Sequence, residues 1–231
     1  MSIEEYFGDW IKIIDRTELN KIMNILNDKY SKFNIFPYKK DVFKAFKLCP
    51  LNNLKIIIIS QDPYPDIYNN KPRATGIAFA NNSEIPEEYW SPSLKILKES
   101  VINFDIPHNC ITFDPTLESW CKQGILMLNS ALTTEVGKVG IHTLKWRPFI
   151  GSFLKNMSEK NPGIIYVFFG SQAKSLNTYI NNNNNYKLFI EHPAYYARLN
   201  KRMPSDIWYT VQKLVYNIYG TLIKWYKEET F

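Results

Sequence analysis

Four consecutive isoleucines, Ile56 to Ile59, constrain this chain more than any other stretch. They do not alternate with polar residues, so neither face of the strand they predict can meet water. A run of β-branched residues buried on both faces belongs in a parallel sheet with helices above and below. The run leads into SQDPYP. Pro63 has no N–H to continue a ladder and disfavours helix at Asp62. Asp62 therefore falls in a loop just past the carboxyl end of a buried strand, the edge at which open α/β sheets bind ligands. A turn or capping aspartate fits the same position.

The pattern recurs along the chain. Apolar spacing predicts helices over residues 17–31 and 40–48, ahead of the strand KIIIIS. SPSLKILKESVINF reads as a helix opened by Ser91 with Pro92 in its first turn. TLESWCKQ is helical, GILMLNSALT is a second buried strand, and RPFIGSFLKNMSEK is a helix. GIIYVFFG is a third strand, SQAKSLNTYI a helix and YKLFIE a fourth strand; HPAYYARLNKR reads as a loop before a last helix over 205–218. This alternation predicts an α/β fold: one domain over residues 1–231, with a central four-stranded parallel twisted sheet flanked by helices. The strand ends then carry Gln61-Asp62-Pro63-Tyr64, Asn129, Gly170-Ser171 and His192-Pro193. In a parallel sheet all of these reach one edge, so polar groups distant in sequence converge on one crevice.

Composition narrows the function classes. At 231 residues with 45% hydrophobic and 15% aromatic residues, the chain can bury a substantial core. No apolar segment is long enough to cross a membrane. The acidic, aromatic MSIEEYFGDW is wrong for a signal peptide, so the expectation is a soluble intracellular protein. Cys49, Cys110 and Cys121 are odd in number and form no C-x-x-C, so buried free thiols are expected rather than disulfides or zinc. His108, His142 and His192 have no metal-ligand spacing, and catalysis without metal or cofactor is expected. The net charge of +6 hints at a polyanionic partner, although abundant Lys, Asn, Ile and Tyr also fit an AT-rich genome. Asn181 to Asn185 reads as a surface loop.

From about Lys55 to the last helix, these pieces in this order resemble family 1 uracil-DNA glycosylases. QDPY at 61–64 is similar to that family's water-activating loop, and GIAF at 76–79 carries its stacking phenylalanine. SPS at 91–93 resembles the proline-rich phosphate loop, and LESWCKQGILMLNSALT at 117–133 the uracil-reading strand with its approach helix. Gly170-Ser171 resembles the Gly-Ser loop, and HPAYYARLNK at 192–201 sits where the family has its intercalating loop.

The resemblance implies a uracil-DNA glycosylase of base excision repair. Asp62 would stabilise the sugar cation and orient water, and His192, as neutral imidazole, would donate to the uracil O2. For His192 the plain alternative is a cap before Pro193. Asn129 would donate to O4 and accept from N3–H, a pattern that cytosine reverses. Gln61 would line the base site, Tyr64 would exclude the thymine methyl, and Phe79 would stack on the flipped base, with a core phenylalanine as the alternative. Ser93, Ser171, Tyr195, Tyr196 and Arg198 would contact DNA.

The departures are specific. Ser60 stands where the family has Gly, and Pro65 where it has His. Ala194 and Ala197 replace two backbone-pinching serines, and Tyr196 replaces the wedge leucine. DPYP and HPA also look like the poxvirus branch, whose glycosylase doubles as a polymerase processivity subunit. Two other readings therefore stand beside a repair enzyme acting on single- or double-stranded DNA as a monomer. One is a DNA-binding processivity subunit with secondary or lost activity; the other is a glycosylase with altered base choice.

Overall fold

The isoleucine run is the second strand of a four-stranded parallel sheet in the computed structural model, which describes residues 3–32, 34–106, 109–181 and 183–228. The sheet consists of β1 (Ile56–Ser60), β2 (Ile125–Asn129), β3 (Ile165–Phe169) and β4 (Tyr186–Ile190), in the spatial order β2-β1-β3-β4. All neighbouring pairs are parallel. Ile56 to Ile59 are at most 1% exposed, as their lack of alternation requires. Burial of each such side chain contributes about 1.5–3 kcal/mol. From β1 the chain passes to β2 on one side, and from β3 to β4 on the other. The connections diverge at β1 and β3, which opens a crevice beyond their carboxyl ends.

Helices α1 (Arg16–Lys32), α2 (Pro92–Phe104), α3 (Glu118–Lys122), α4 (Thr143–Lys160), α5 (Pro193–Arg198) and α6 (Asp206–Tyr219) surround the sheet. Ser91 caps α2 with its side chain and Pro92 opens it, as the sequence predicts. One hydrophobic cluster runs from Phe7 to Trp225. Within it Trp120 lies 5.9 Å from Trp208 and 4.9 Å from Trp225. The N-terminal segment is held by edge-to-face rings: Trp10 on Phe46 at 5.2 Å and Phe46 on Phe153 at 5.3 Å.

Several expectations need correction. HPAYYARLNKR is not a loop: residues Pro193–Arg198 form α5, because Pro193 pre-sets the first turn and the His192 side chain caps it. Helix α4 starts at Thr143, four residues before the RPFIG stretch, with Pro148 inside it. There Pro148 forfeits only the bond to Leu144, an exposed residue. Residues 40–48 divide into a 3-10 turn at Lys39–Asp41 and a short α-helix at Lys44–Leu48. SQAKSLNTYI likewise divides at Ser175. Cys49 and Cys121 are buried free thiols, but Cys110 is exposed. His108 lies outside the described residues, as does Asn182 of the asparagine run.

Candidate active site

The corner after β1 delivers Asp62 to a cavity of about 320 Å³ at the carboxyl edge of the sheet. Gln61, Asp62, Tyr64, Phe79, Ser93, Asn129, His192 and Arg198, all expected site residues, line it together. The Asp62 Oδ2 accepts the backbone N–H of Gly140 at 2.5 Å. Burial holds its carboxyl above the ordinary carboxylate range, outweighing that hydrogen bond. The Pro65 carbonyl accepts from Gly137 N–H at 2.9 Å, so the loop before α4 grips the corner at both ends.

His192 does cap α5, and the cap sets its chemistry. Its Nδ1 accepts from the Ala194 N–H at 3.1 Å, which places the proton of the neutral ring on Nε2. Nε2 then donates to Ser60 Oγ at 3.0 Å. Burial, with the Arg198 charge adding to it, lowers the imidazole to about 4, so the ring is uncharged at neutral pH. Gly170 makes room for this residue: its φ is +84°, and a Cβ there would stand 3.0 Å from the His192 Cβ.

Asn129 ends β2 directly across from Ser60 at the end of β1. It is 6% exposed, and its Oδ1 has no hydrogen-bond partner within the protein. An unpaired buried carbonyl costs about 1–3 kcal/mol, so a ligand that donates to it is favoured. Phe79 is both a core residue and a cavity wall, with its ring 5.2 Å from Phe169 and 5.3 Å from His192. Its backbone is left-handed, with φ +65°. For a bulky side chain that conformation is strained, and such strain concentrates at functional sites.

Among the expected DNA-contact residues, Ser93 and Arg198 border the cavity. Ser171 and Tyr196 line a neighbouring groove of about 540 Å³ with Lys174 and Phe189. Tyr195 is exposed, whereas Tyr196 packs against the core and meets Tyr195 edge-on at 5.3 Å. Three participants are not legible as such in the sequence. Ser60, noted only as a departure from Gly, is the partner of His192. The Thr75 hydroxyl is buried and unpartnered in the cavity wall. Gly140 reaches Asp62 across 78 residues, and no local pattern announces such a contact.

A cavity at the carboxyl edge of an open α/β sheet, walled by a phenylalanine and lined by a carboxylate, an amide with its Oδ1 unpartnered and a neutral imidazole, suits one flat polar ring. The class is thus an α/β protein with a site for a heterocyclic base. The profile of the uracil DNA glycosylase superfamily matches residues 46–214. The uracil-DNA glycosylase of Aliarcobacter butzleri is 34% identical over 191 residues, covering 80% of this chain and 85% of its own. That of Fusobacterium nucleatum is 30% identical over 195 residues, 81% of each chain. The crystal structure of mimivirus uracil-DNA glycosylase superposes with a TM-score of 0.75 over 96% of this chain and 91% of its own, at 21% identity. The chain belongs to the uracil DNA glycosylase superfamily.

Proposed function

We propose that this chain, acting as one domain over residues 1–231, hydrolyses the N-glycosidic bond of uracil in DNA and leaves an abasic site. The observation that carries the proposal is the buried Asn129 amide, with its Oδ1 unpartnered, lining one cavity together with Asp62 and His192. Uracil N3–H can donate to that Oδ1 while O4 accepts from the amide N–H; cytosine presents the reverse. Relatives named uracil-DNA glycosylases favour an enzyme over a processivity subunit. A replication partner is suggested by the DPYP and HPA likeness alone.

Bond cleavage develops positive charge on the sugar and negative charge on the departing base. One Asp62 oxygen is engaged by Gly140, which leaves the other to face the sugar cation and orient the attacking water. The uracil O2 would take the Nε2 proton donor of His192 away from Ser60 Oγ. A neutral donor there stabilises the leaving anion without surrendering a full proton. Phe79 would stack on the flipped base, with Gln61 beside it and Tyr64 facing C5. Ser93, Ser171 and Arg198 would hold the flanking phosphates, and Tyr196, backed by Tyr195, would fill the gap left in the helix.

The deciding experiment measures free uracil released from a uracil-containing oligonucleotide in EDTA. Among the described residues no group of three His, Cys, Asp or Glu side chains could hold a metal ion. Release should therefore persist in the chelator. Absence of free uracil with or without added metal would overturn the proposal; loss of release that is restored by added metal would overturn only the expectation of metal-free catalysis.

A further inference from the structure

Resting on the reading that Tyr64 faces C5 of the base, we infer that Ser91 is a specificity-determining residue: it pins the Tyr64 ring so that the thymine methyl meets a wall that cannot move. The Tyr64 hydroxyl accepts from Ser91 Oγ at 2.6 Å and donates to the Phe79 carbonyl at 3.1 Å. At its other end the residue lies between Pro63 and Pro65, whose rings restrict the backbone. The side chain is thus held at both ends.

The pin is itself over-determined. Ser91 N–H donates to Asn81 Oδ1 at 2.8 Å, and Ser91 Oγ accepts from Asn81 Nδ2 at 3.2 Å. Asn81 is fully buried, and its own N–H donates to the Pro115 carbonyl at 2.8 Å. The Phe79 carbonyl that takes the Tyr64 proton belongs to the strained left-handed residue in the cavity wall. The Tyr64 hydroxyl is therefore anchored on the backbone of the residue whose ring is expected to stack on the base and lies 5.3 Å from the ring of His192.

Rigidity matters because of how little a methyl group weighs. A pocket that can yield discriminates one methyl by only about 10- to 200-fold. Stronger rejection needs a repulsive contact, and a clash stays costly only where the wall cannot retreat.

The test compares uracil with thymine release from otherwise identical single-stranded oligonucleotides, which removes base-pairing differences. Tyr64→Ala, Tyr64→Phe, Ser91→Ala and Ser91→Thr are measured beside the parent. Tyr64→Phe and Ser91→Ala should each lower the uracil-over-thymine ratio of kcat/KM by roughly tenfold or more, as expected for a wall free to yield. Ser91→Thr, which keeps a hydroxyl, should restore the ratio. Ser91→Ala also removes the cap of α2 and should lower Tm, whereas Tyr64→Phe leaves that cap in place. A selectivity loss shared by both variants therefore reports the pin rather than the helix. If Tyr64→Ala releases thymine while Tyr64→Phe and Ser91→Ala keep the parent ratio, the pin is overturned and the reading of Tyr64 stands. If Tyr64→Ala still excludes thymine, both fail.

Discussion

Replacing Asp62 with Asn removes one charge and almost nothing else. The Asn carbonyl can still accept the Gly140 N–H, now held at 2.5 Å, so the corner should keep its shape. What is lost is attraction between a carboxylate and the sugar cation of the transition state. For unit charges about 4 Å apart at an effective dielectric of about 20, that attraction is about 4 kcal/mol. At about 1.4 kcal/mol per decade, turnover should fall by about 10³-fold. Because the interaction exists only in the transition state, affinity for DNA should hardly change. Single-turnover uracil release, with fluorescence anisotropy for binding, measures both quantities. The same substitution should stabilise the fold. Burial raises the Asp62 pKa, so the folded state holds the proton more tightly than the unfolded chain, and ionisation at neutral pH opposes folding. Asp62→Asn should therefore raise Tm at pH 7. Turnover within about tenfold of the parent would refute the charge argument and leave Asp62 as a turn residue.

His192 gives a second pH signature. Its pKa is lowered from 6.5 to about 4, so across that window the unfolded chain takes up a proton that the folded protein does not. Stability should fall as pH drops from 6.5 to about 4, and by less in His192→Gln; parallel melting curves for the two proteins would refute this. Asn129→Asp should lower uracil kcat/KM by the worth of a bidentate base contact, about 1–3 kcal/mol, and should raise cytosine release above the parent's. Unchanged base selectivity on defined oligonucleotides would place the reading site elsewhere. Tyr196→Ala should slow cleavage in duplex DNA more than in single strands, since only a duplex has a gap to fill; stacking of this kind is worth about 1–3 kcal/mol per base. Equal losses on both substrates would leave Tyr196 as packing for α5.

Much of the architecture is written locally. Ile56 to Ile59 require a strand covered on both faces, and the apolar runs ending at Asn129 and Phe169 require two more beside it. Parallel pairing then brings Asp62, Asn129 and His192 to one edge, because successive strands run the same way. Local signals reach about as far as the next cap or turn, and their limit shows at α5. His-Pro-Ala encodes a capped first turn, yet glycine-free HPAYYARLNKR also reads as a loop.

Only the tertiary structure decided how the site residues are held. Ser60 and His192 are 132 residues apart, and Asp62 and Gly140 are 78 apart. Nothing in the composition of either partner specifies these bonds. Strand register and loop docking set them, by bringing each donor to 3.0 Å or less from its acceptor. The sequence by itself thus determined which groups arrive at the edge, through periodicity and burial. The packed structure determined the protonation of His192, the elevated pKa of Asp62 and the open Oδ1 of Asn129, because each depends on desolvation and on partners that only the completed fold supplies.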